Sequence, residues 1–382
     1  MRENAAWLSP AFFVLAISCA PLLAMLMSPL SVAATPTPKS VTKKVDRQLR
    51  EYDLDHNGMI TPDEFRKAPL FRQVDTDRDG RVTRAELETY YMDIYTKRHM
   101  GGERASNTLY TTSRARSSPV ELTWHEIDHQ GYKRFYGVAT PSSAMPRSGK
   151  RALLVSFHGH HGDPQGHANA TQLQRSCDEG AGCIVVFPAS CKETAKPGDS
   201  CRGGEDARWQ RSHRKGPIVD DPGFVAKMLE NLLNEPRLNI EPGEVYATGA
   251  SNGGAFVYFL YCSNAYPFKK YNSYMGNPHD ASCRPARPAS IFHIHGDEDA
   301  IVPFRWSYMD RAARLNRCTL PARQASAETT SSGLSVSRYA YRCAHGAEFK
   351  VAILHGAGHR ASPEEVEIYK GLLFEEFFGD QR

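Results

Sequence analysis

The chain has 382 residues, 41% of them hydrophobic and 24% charged, the composition of a globular protein with room for a large core and a smaller module. Its formal charge is +4. With no concentrated basic run, that balance argues against a nucleic-acid partner.

In chain order, Arg2 precedes the apolar stretch "AFFVLAISCAPLLAMLMSPL", and "SVAA" supplies small residues for cleavage near Ala34. Residues 1–34 are expected to be a signal peptide that sends the chain to a secreted or periplasmic destination. The apolar stretch is long enough that an uncleaved anchor is the alternative. That segment is the one expected route to a membrane. Of nine cysteines, Cys19 lies in the targeting segment and matches a lipobox poorly. The remaining eight are Cys177, Cys183, Cys191, Cys201, Cys262, Cys283, Cys318 and Cys343. An even set in an exported chain points to disulfides. Spacing does not fix connectivity; neighbour pairing is the expectation. No CxxC spacing supports a metal cluster.

After an extended "ATPTPKS", residues 39–100 carry an internal repeat. "DLDHNGMITPDE" and "DTDRDGRVTRAE" both fit D-x-[DN]-x-[DN]-G-x5-E and resemble EF-hand loops over their full length. Calcium takes six to eight hard oxygens at about 2.3–2.6 Å, supplied by alternate loop residues. The resemblance implies Asp53, Asp55, Asn57, the Met59 carbonyl, Thr61 and Glu64 as ligands in the first loop. In the second it implies Asp75, Asp77, Asp79, the Arg81 carbonyl, Thr83 and Glu86. Ile60 and Val82 occupy the positions where paired loops bridge. Val41, Val45 and Leu49 mark a helix entering the first loop, and Leu87, Tyr91 and Ile94 one leaving the second. The loops start 22 residues apart, with Pro69 between them, so the connecting helices must be short. Residues 101–119 have linker composition.

From residue 120 to 382, strands alternate with helices. "YKRFYGVATP" reads as an antiparallel strand. "RALLVSFHG", "CIVVFPA", the strand before Ser251 and "SIFHIHGDED" read as buried strands. "DPGFVAKMLENLL", Trp306–Leu315 and Pro363–Phe378 read as helices. Further strands fall near Leu334–Arg342 and Phe349–Leu354. The expected fold class is α/β: a mainly parallel sheet with helices on both faces, beside the small all-α module.

The chemistry concentrates at "EVYATGASNGGAFVYFLY". Ser251 stands between an apolar strand and a helix, flanked by Gly249, Gly253 and Gly254, the G-x-S-x-G pattern of a nucleophile elbow. A serine hydroxyl needs a base in hydrogen-bond reach and an acid to orient that base. The chain offers both, in the order serine, acid, histidine. Asp299 follows a buried strand in "IHGDEDAIVPF", and His359 follows the last strand in "ILHGAGHRASP". Asp297 is a rival acid and His355 a rival base. His158, His160, His161 and His167 could instead gather a metal, and Arg208, Trp209, Phe304 and Trp306 could line a cleft.

Together and in order, "GASNGG", "HGDEDAIVP" and "HGAGH" resemble the polyhydroxybutyrate depolymerase and feruloyl esterase group of α/β-hydrolases. "FHGHHGD" looks like that group's oxyanion-side loop, and "DDPGFV" like its D-D-x-G-F element. The resemblance covers roughly Val120 to the end. It implies the α/β-hydrolase fold and an exported serine carboxylic-ester hydrolase, with Ser251 as nucleophile, Asp299 as acid and His359 as base. It also implies oxyanion donors at the backbone N–H of Asn252 and near His160. The chain departs from the group at Arg360–Ser362, where a tryptophan often follows the histidine, and at His160, where a small residue is common. The partner is an ester, small or polymeric. The ester chemistry needs no cofactor; calcium belongs to the N-terminal module. Two rivals stand beside this reading: a peptidase on the same fold, and a non-catalytic calcium-dependent adhesion or scaffold protein.

Overall fold

In a computed structural model of the chain, the described residues are 37–142, apart from 38, 54, 62–63, 65–73, 78 and 100–117, and 149–379, apart from 213–218, 281 and 331–333. The expected signal segment, Pro69 and nearly all of the expected linker lie outside them.

The N-terminal module is held by one small apolar cluster. Helix α1 (Lys39–Tyr52) and helix α2 (Arg84–His99) flank two short strands, β1 (Met59–Ile60) and β2 (Val82–Thr83). The strands pair antiparallel, with Ile60 opposite Val82. Val41, Val45, Ile60, Val74, Val82, Leu87 and Tyr91 bury together. The four-residue spacing on α1 puts Val41, Val45 and Leu49 on one face. Gly58 and Gly80 stand at φ +84° and +81°, a left-handed turn that a side chain would strain.

The large domain is built on a sheet of eleven strands. The strands are β3 (Thr123–His129), β4 (Tyr132–Ala139), β5 (Arg151–Phe157), β6 (Ile184–Pro188), β7 (Ser200–Cys201), β8 (Ile240–Ala250), β9 (Lys270–Tyr274), β10 (Ser290–Gly296), β11 (Cys318–Thr329), β12 (Ser335–Cys343) and β13 (Glu348–Leu354). Their order is β11-β12-β13-β10-β9-β8-β5-β6-β4-β3, with β7 beside β4. The run from β13 through β10, β9, β8 and β5 to β6 is parallel. The margins, β3-β4-β6 and β11-β12-β13, are antiparallel. Continuous apolar sequence in β5 and β6 fits this, since both faces of a central parallel strand are covered.

Alternation divides the core. Leu153, Val155 and Phe157 of β5 face one cluster, with helices α4 (Asp221–Leu233) and α5 (Asn252–Ser263) and the Met309–Ala313 face of α6 (Trp306–Leu315). Ala152 and Leu154 face the other, with helix α3 (Pro164–Thr171) and helix α7 (Pro363–Phe378). Asp163 caps α3 by accepting from the Gly166 N–H, and Ser362 opens α7 with a capping box. The expected strands and helices fall where the periodicity puts them; β3, β9 and β11 carried no comparable signal. Disulfides join Cys177–Cys183, Cys191–Cys201, Cys262–Cys283 and Cys318–Cys343, the neighbour pairing expected. Among the described residues, no helix is long and apolar enough to cross a membrane.

Candidate active site and calcium loops

Ser251 sits at the carboxyl end of β8, the centre of the parallel run, directly before α5. Its backbone is held at φ 54°, ψ −114°, a conformation costly for any residue with a side chain. The Ser251 N–H donates to the Tyr274 carbonyl at 2.8 Å and its own carbonyl accepts from Ala255 at 2.9 Å. The turn is possible because its neighbours are bare. A Cβ on Gly253 would stand 2.2 Å from the Phe157 carbonyl oxygen, and one on Gly249 2.6 Å from the Gly253 carbonyl carbon.

The three residues singled out by motif order meet. Ser251 Oγ lies 2.9 Å from His359 Nε2, and His359 Nδ1 lies 2.6 Å from Asp299 Oδ2. Asp299 is 2% exposed and His359 9%. Asp299 Oδ1 accepts from the N–H groups of Ile301 (2.9 Å) and Val302 (2.7 Å). Burial alone pushes the Asp299 carboxyl up. Its hydrogen bonds from His295 and His359, and their charge, outweigh that and hold it down to about 2. It is a carboxylate at neutral pH. That fixes the His359 tautomer as Nδ1–H, leaving Nε2 to accept from the serine.

The rival acid and base find each other. His355 Nδ1 lies 2.7 Å from Asp297 Oδ2 and His355 Nε2 2.8 Å from Ser337 Oγ. The Gly356 N–H donates to Asp297 Oδ1 at 2.8 Å. With Glu298 N–H donating to the Ala357 carbonyl, these bonds staple the loop after β10 to the loop after β13. Ser337 lies within β12, with no strand-to-helix turn around it.

Behind Asp299 runs a chain of buried groups that motif reading missed. His295 Nε2 lies 2.7 Å from the Val302 carbonyl and 3.2 Å from Asp299 Oδ2. A carbonyl only accepts, so Nε2 carries the proton. His295 Nδ1 then accepts from His293 Nε2 at 2.9 Å, and His293 Nδ1 accepts from the Tyr258 hydroxyl at 3.0 Å. Burial drives His293 well below the ordinary imidazole range. The sequence signal was present in "HIHGDED": alternate strand residues share a face.

On the other side, the Asn252 side chain grips Trp209 in both directions. Its oxygen accepts from the Trp209 N–H at 2.7 Å, and its amide donates to the Trp209 carbonyl at 3.2 Å. Trp209 is fully buried and stacks on Phe256 at 4.9 Å. It is core, not cleft lining. Phe304 and Trp306 pack on each other and Trp306 on Tyr339, and Arg208 pairs with Glu193. The next residue after Trp209, Gln210, donates its N–H to Asp221 Oδ2 at 2.8 Å. Asp221 is itself bound to the fully buried Arg134 at 2.7 Å. Among the described residues, the backbone N–H groups of Asn252 and His160 have no acceptor, whereas that of His161 donates to the Ala207 carbonyl.

The four histidines of "FHGHHGD" and α3 do not converge. His158 Nδ1 donates to the Gly159 carbonyl, and His158 Nε2 accepts from the Ser190 N–H. His167 pairs with Ser156 at 2.8 Å. His160 and His161 stack on each other. Burial lowers His158 to about 4 and His167 to about 3, so both are neutral packing groups.

In the N-terminal loops, ligand oxygens of Asp53, Asp55 and Glu64 lie within 4.8 Å of one another, as do those of Asp75, Asp77 and Glu86. The main chain curls around each first acid. Asp53 accepts from the N–H of Asn57 (3.0 Å) and Gly58 (2.9 Å), and Asp75 from Asp79 and Gly80 (both 3.1 Å). Three carboxylates gathered so closely repel unless a cation lies between them. Hard oxygens from alternate loop positions suit calcium. Met59 and Arg81 stand at the carbonyl position of each loop, and Thr61 and Thr83 bond Glu64 and Glu86.

The strand order, the strained serine turn at the centre and the helices on both faces decide the architecture. The large domain has the α/β-hydrolase fold. The EF hand family model matches residues 45–68 and 67–90, so the N-terminal module is an EF-hand pair. The chain is 25% identical over 242 residues to a bifunctional acetylxylan esterase/xylanase of Neocallimastix patriciarum. The match covers 62% of this chain and 32% of that protein, so the chain spans about a third of the relative's length. Among solved structures, it is similar to an acetyl xylan esterase from Aspergillus awamori, with TM-score 0.46 and 11% identity, covering 67% of this chain and 99% of that one. It is also similar to a CE1 ferulic acid esterase from Anaeromyces mucronatus, with TM-score 0.41 and 12% identity, covering 69% and 93%. The α/β and EF-hand parts touch where Arg305 Nη1 donates to the Tyr52 hydroxyl at 3.1 Å.

Proposed function

We propose that this protein is an exported serine carboxylic-ester hydrolase carrying a calcium-binding EF-hand pair. The observation that supports it is the unbroken chain Ser251 Oγ–His359–Asp299, at 2.9 and 2.6 Å. Ser251 attacks an ester carbonyl while His359 Nε2 takes its proton. The tetrahedral oxyanion is held by the Asn252 and His160 N–H groups, each such donor being worth about 3 kcal/mol of barrier. His359 returns the proton to the departing alcohol. Water, activated by the same imidazole, then releases the acid. Asp299 keeps the imidazole in the tautomer that makes each transfer possible. Polyhydroxybutyrate-type and hydroxycinnamate esters, the substrates of the group it resembles, are the first to try.

One loop offers calcium Asp53, Asp55, Asn57, the Met59 carbonyl, Thr61 and Glu64; the other offers Asp75, Asp77, Asp79, the Arg81 carbonyl, Thr83 and Glu86. The ion neutralises carboxylates that otherwise repel, and so links binding to folding of the module. Four disulfides support an oxidising destination. Turnover of 4-nitrophenyl acetate by the wild type and by Ser251→Ala tests the reading. Loss in the variant supports it, and equal rates end it.

A further inference from the structure

Arg211 is a part-buried arginine with no hydrogen bond or ion pair among the described residues. Its neighbours are satisfied: Arg208 pairs with Glu193, and Arg311 donates to the Pro278 carbonyl. Covering a guanidinium without pairing it is unfavourable. An arginine left in that state calls for an anion.

Its position is built. The Asn252 amide clamps the Trp209 main chain from both sides, Asp221 holds the Gln210 N–H, and the Gln210 side chain donates to the Ser212 carbonyl at 3.2 Å. Arg211 therefore follows, by at most about 7 Å of extended chain, a residue pinned to the immediate neighbour of Ser251. The groups that feel its charge place it further. His160 belongs to the loop after β5, and His279 to the loop after β9. These strands flank β8, whose end carries Ser251. Burial, then neighbouring charges with Arg211 among them, lowers both imidazoles to about 4, so neither adds positive charge at neutral pH. Of the acids on this side, Glu193 pairs with Arg208, and Asp280 accepts from the Ser282 N–H and hydroxyl. Among the described residues, Arg211 is left as an unpaired cation that acts on both His160 and His279, in the loops that flank the end of β8.

We propose that Arg211 recognises a carboxylate on the substrate, so that the ester cleaved at Ser251 carries a second, ionised carboxyl group. This substrate class rests on the ester-hydrolase reading above. Guanidinium and carboxylate match as planar forks.

The test compares charged and neutral esters. Mono-4-nitrophenyl succinate puts the carboxylate on the acyl side and 4-acetoxybenzoate on the alcohol side, with 4-nitrophenyl acetate and phenyl acetate as neutral partners. The wild type should favour one charged ester over its partner, and which one tells the side. In Arg211→Gln the charged-to-neutral ratio of kcat/KM should fall roughly tenfold to a hundredfold, the range for a charged hydrogen bond. Arg211→Lys should keep part of it, and both variants should melt like the wild type. Calorimetry with succinate gives a readout without turnover: binding to Ser251→Ala that vanishes when Arg211→Gln is added. Ratios and succinate binding indifferent to Arg211 overturn the proposal. If no ester is turned over yet succinate binds through Arg211, the ester-hydrolase reading fails and the anion site stands.

Discussion

Replacing Asp299 by asparagine leaves the volume unchanged and inverts the chemistry of one atom. The amide oxygen can still accept from the Ile301 and Val302 N–H groups, at 2.9 and 2.7 Å. The amide nitrogen then stands where Oδ2 was, 2.6 Å from His359 Nδ1 and 3.2 Å from His295 Nε2. Two donors cannot face each other. His359 must move its proton to Nε2, where it meets Ser251 Oγ and cannot accept. Loss of the correct tautomer in such a triad lowers kcat about 10⁴-fold, equivalent to about 5 kcal/mol of barrier. Stability also falls. The Asp299 pKa is held down, from 3.8 to about 2, so its contribution is present above pH ~4 and is lost as the pH drops through about 2. At neutral pH the shift is worth about 2 kcal/mol. The assay is kcat/KM on 4-nitrophenyl acetate beside a thermal melt. Retention of more than a tenth of the activity in Asp299→Asn, with collapse instead in Asp297→Asn, would refute the reasoning.

Three further outcomes are expected. Gly253→Ala drives a methyl group into the Phe157 carbonyl at 2.2 Å; two backbones must separate, so expression as folded protein and ester turnover should both fail. Asp221→Asn removes one side of a buried ion pair and leaves Arg134 charged in the core, a loss of about 3–5 kcal/mol. Chemical denaturation should show it, with a KM and kcat change following through Gln210 and Trp209. Glu64→Gln with Glu86→Gln should abolish calcium binding in calorimetry of the full chain while ester turnover persists, and undiminished binding would mean that the loops hold no ion.

Much of the site could be read early because its requirements are local. The serine turn needs glycines within two or three residues, and each EF-hand loop draws its acidic cluster from twelve consecutive residues. The choice between Asp297 and Asp299 was harder. Both lie in the loop after β10, and only the staple to β13 gives Asp297 a partner of its own in His355. Support from afar was not legible. Tyr258, His293 and His295 form one chain, but the tyrosine sits on a helix thirty-odd residues upstream and reads as apolar surface. Trp209 reads as a cleft aromatic because nothing nearby in sequence announces Phe256 or Asn252. β3, β9 and β11 carry little signal for a related reason: β3 and β11 are exposed for most of their length, so neither had to show an apolar run, and β9 buries the polar Asn272 and Ser273.

The serine, the imidazole and the carboxylate hang from the ends of β8, β13 and β10, and Ser251 and His359 stand 108 residues apart. No single strand holds more than one of them. Contacts so distant along the chain form late, after the intervening loops have closed. On the function proposed above, a chain in which β8, β10 and β13 have not yet come together would lack the proton relay, and so would be inert toward esters until the sheet is assembled.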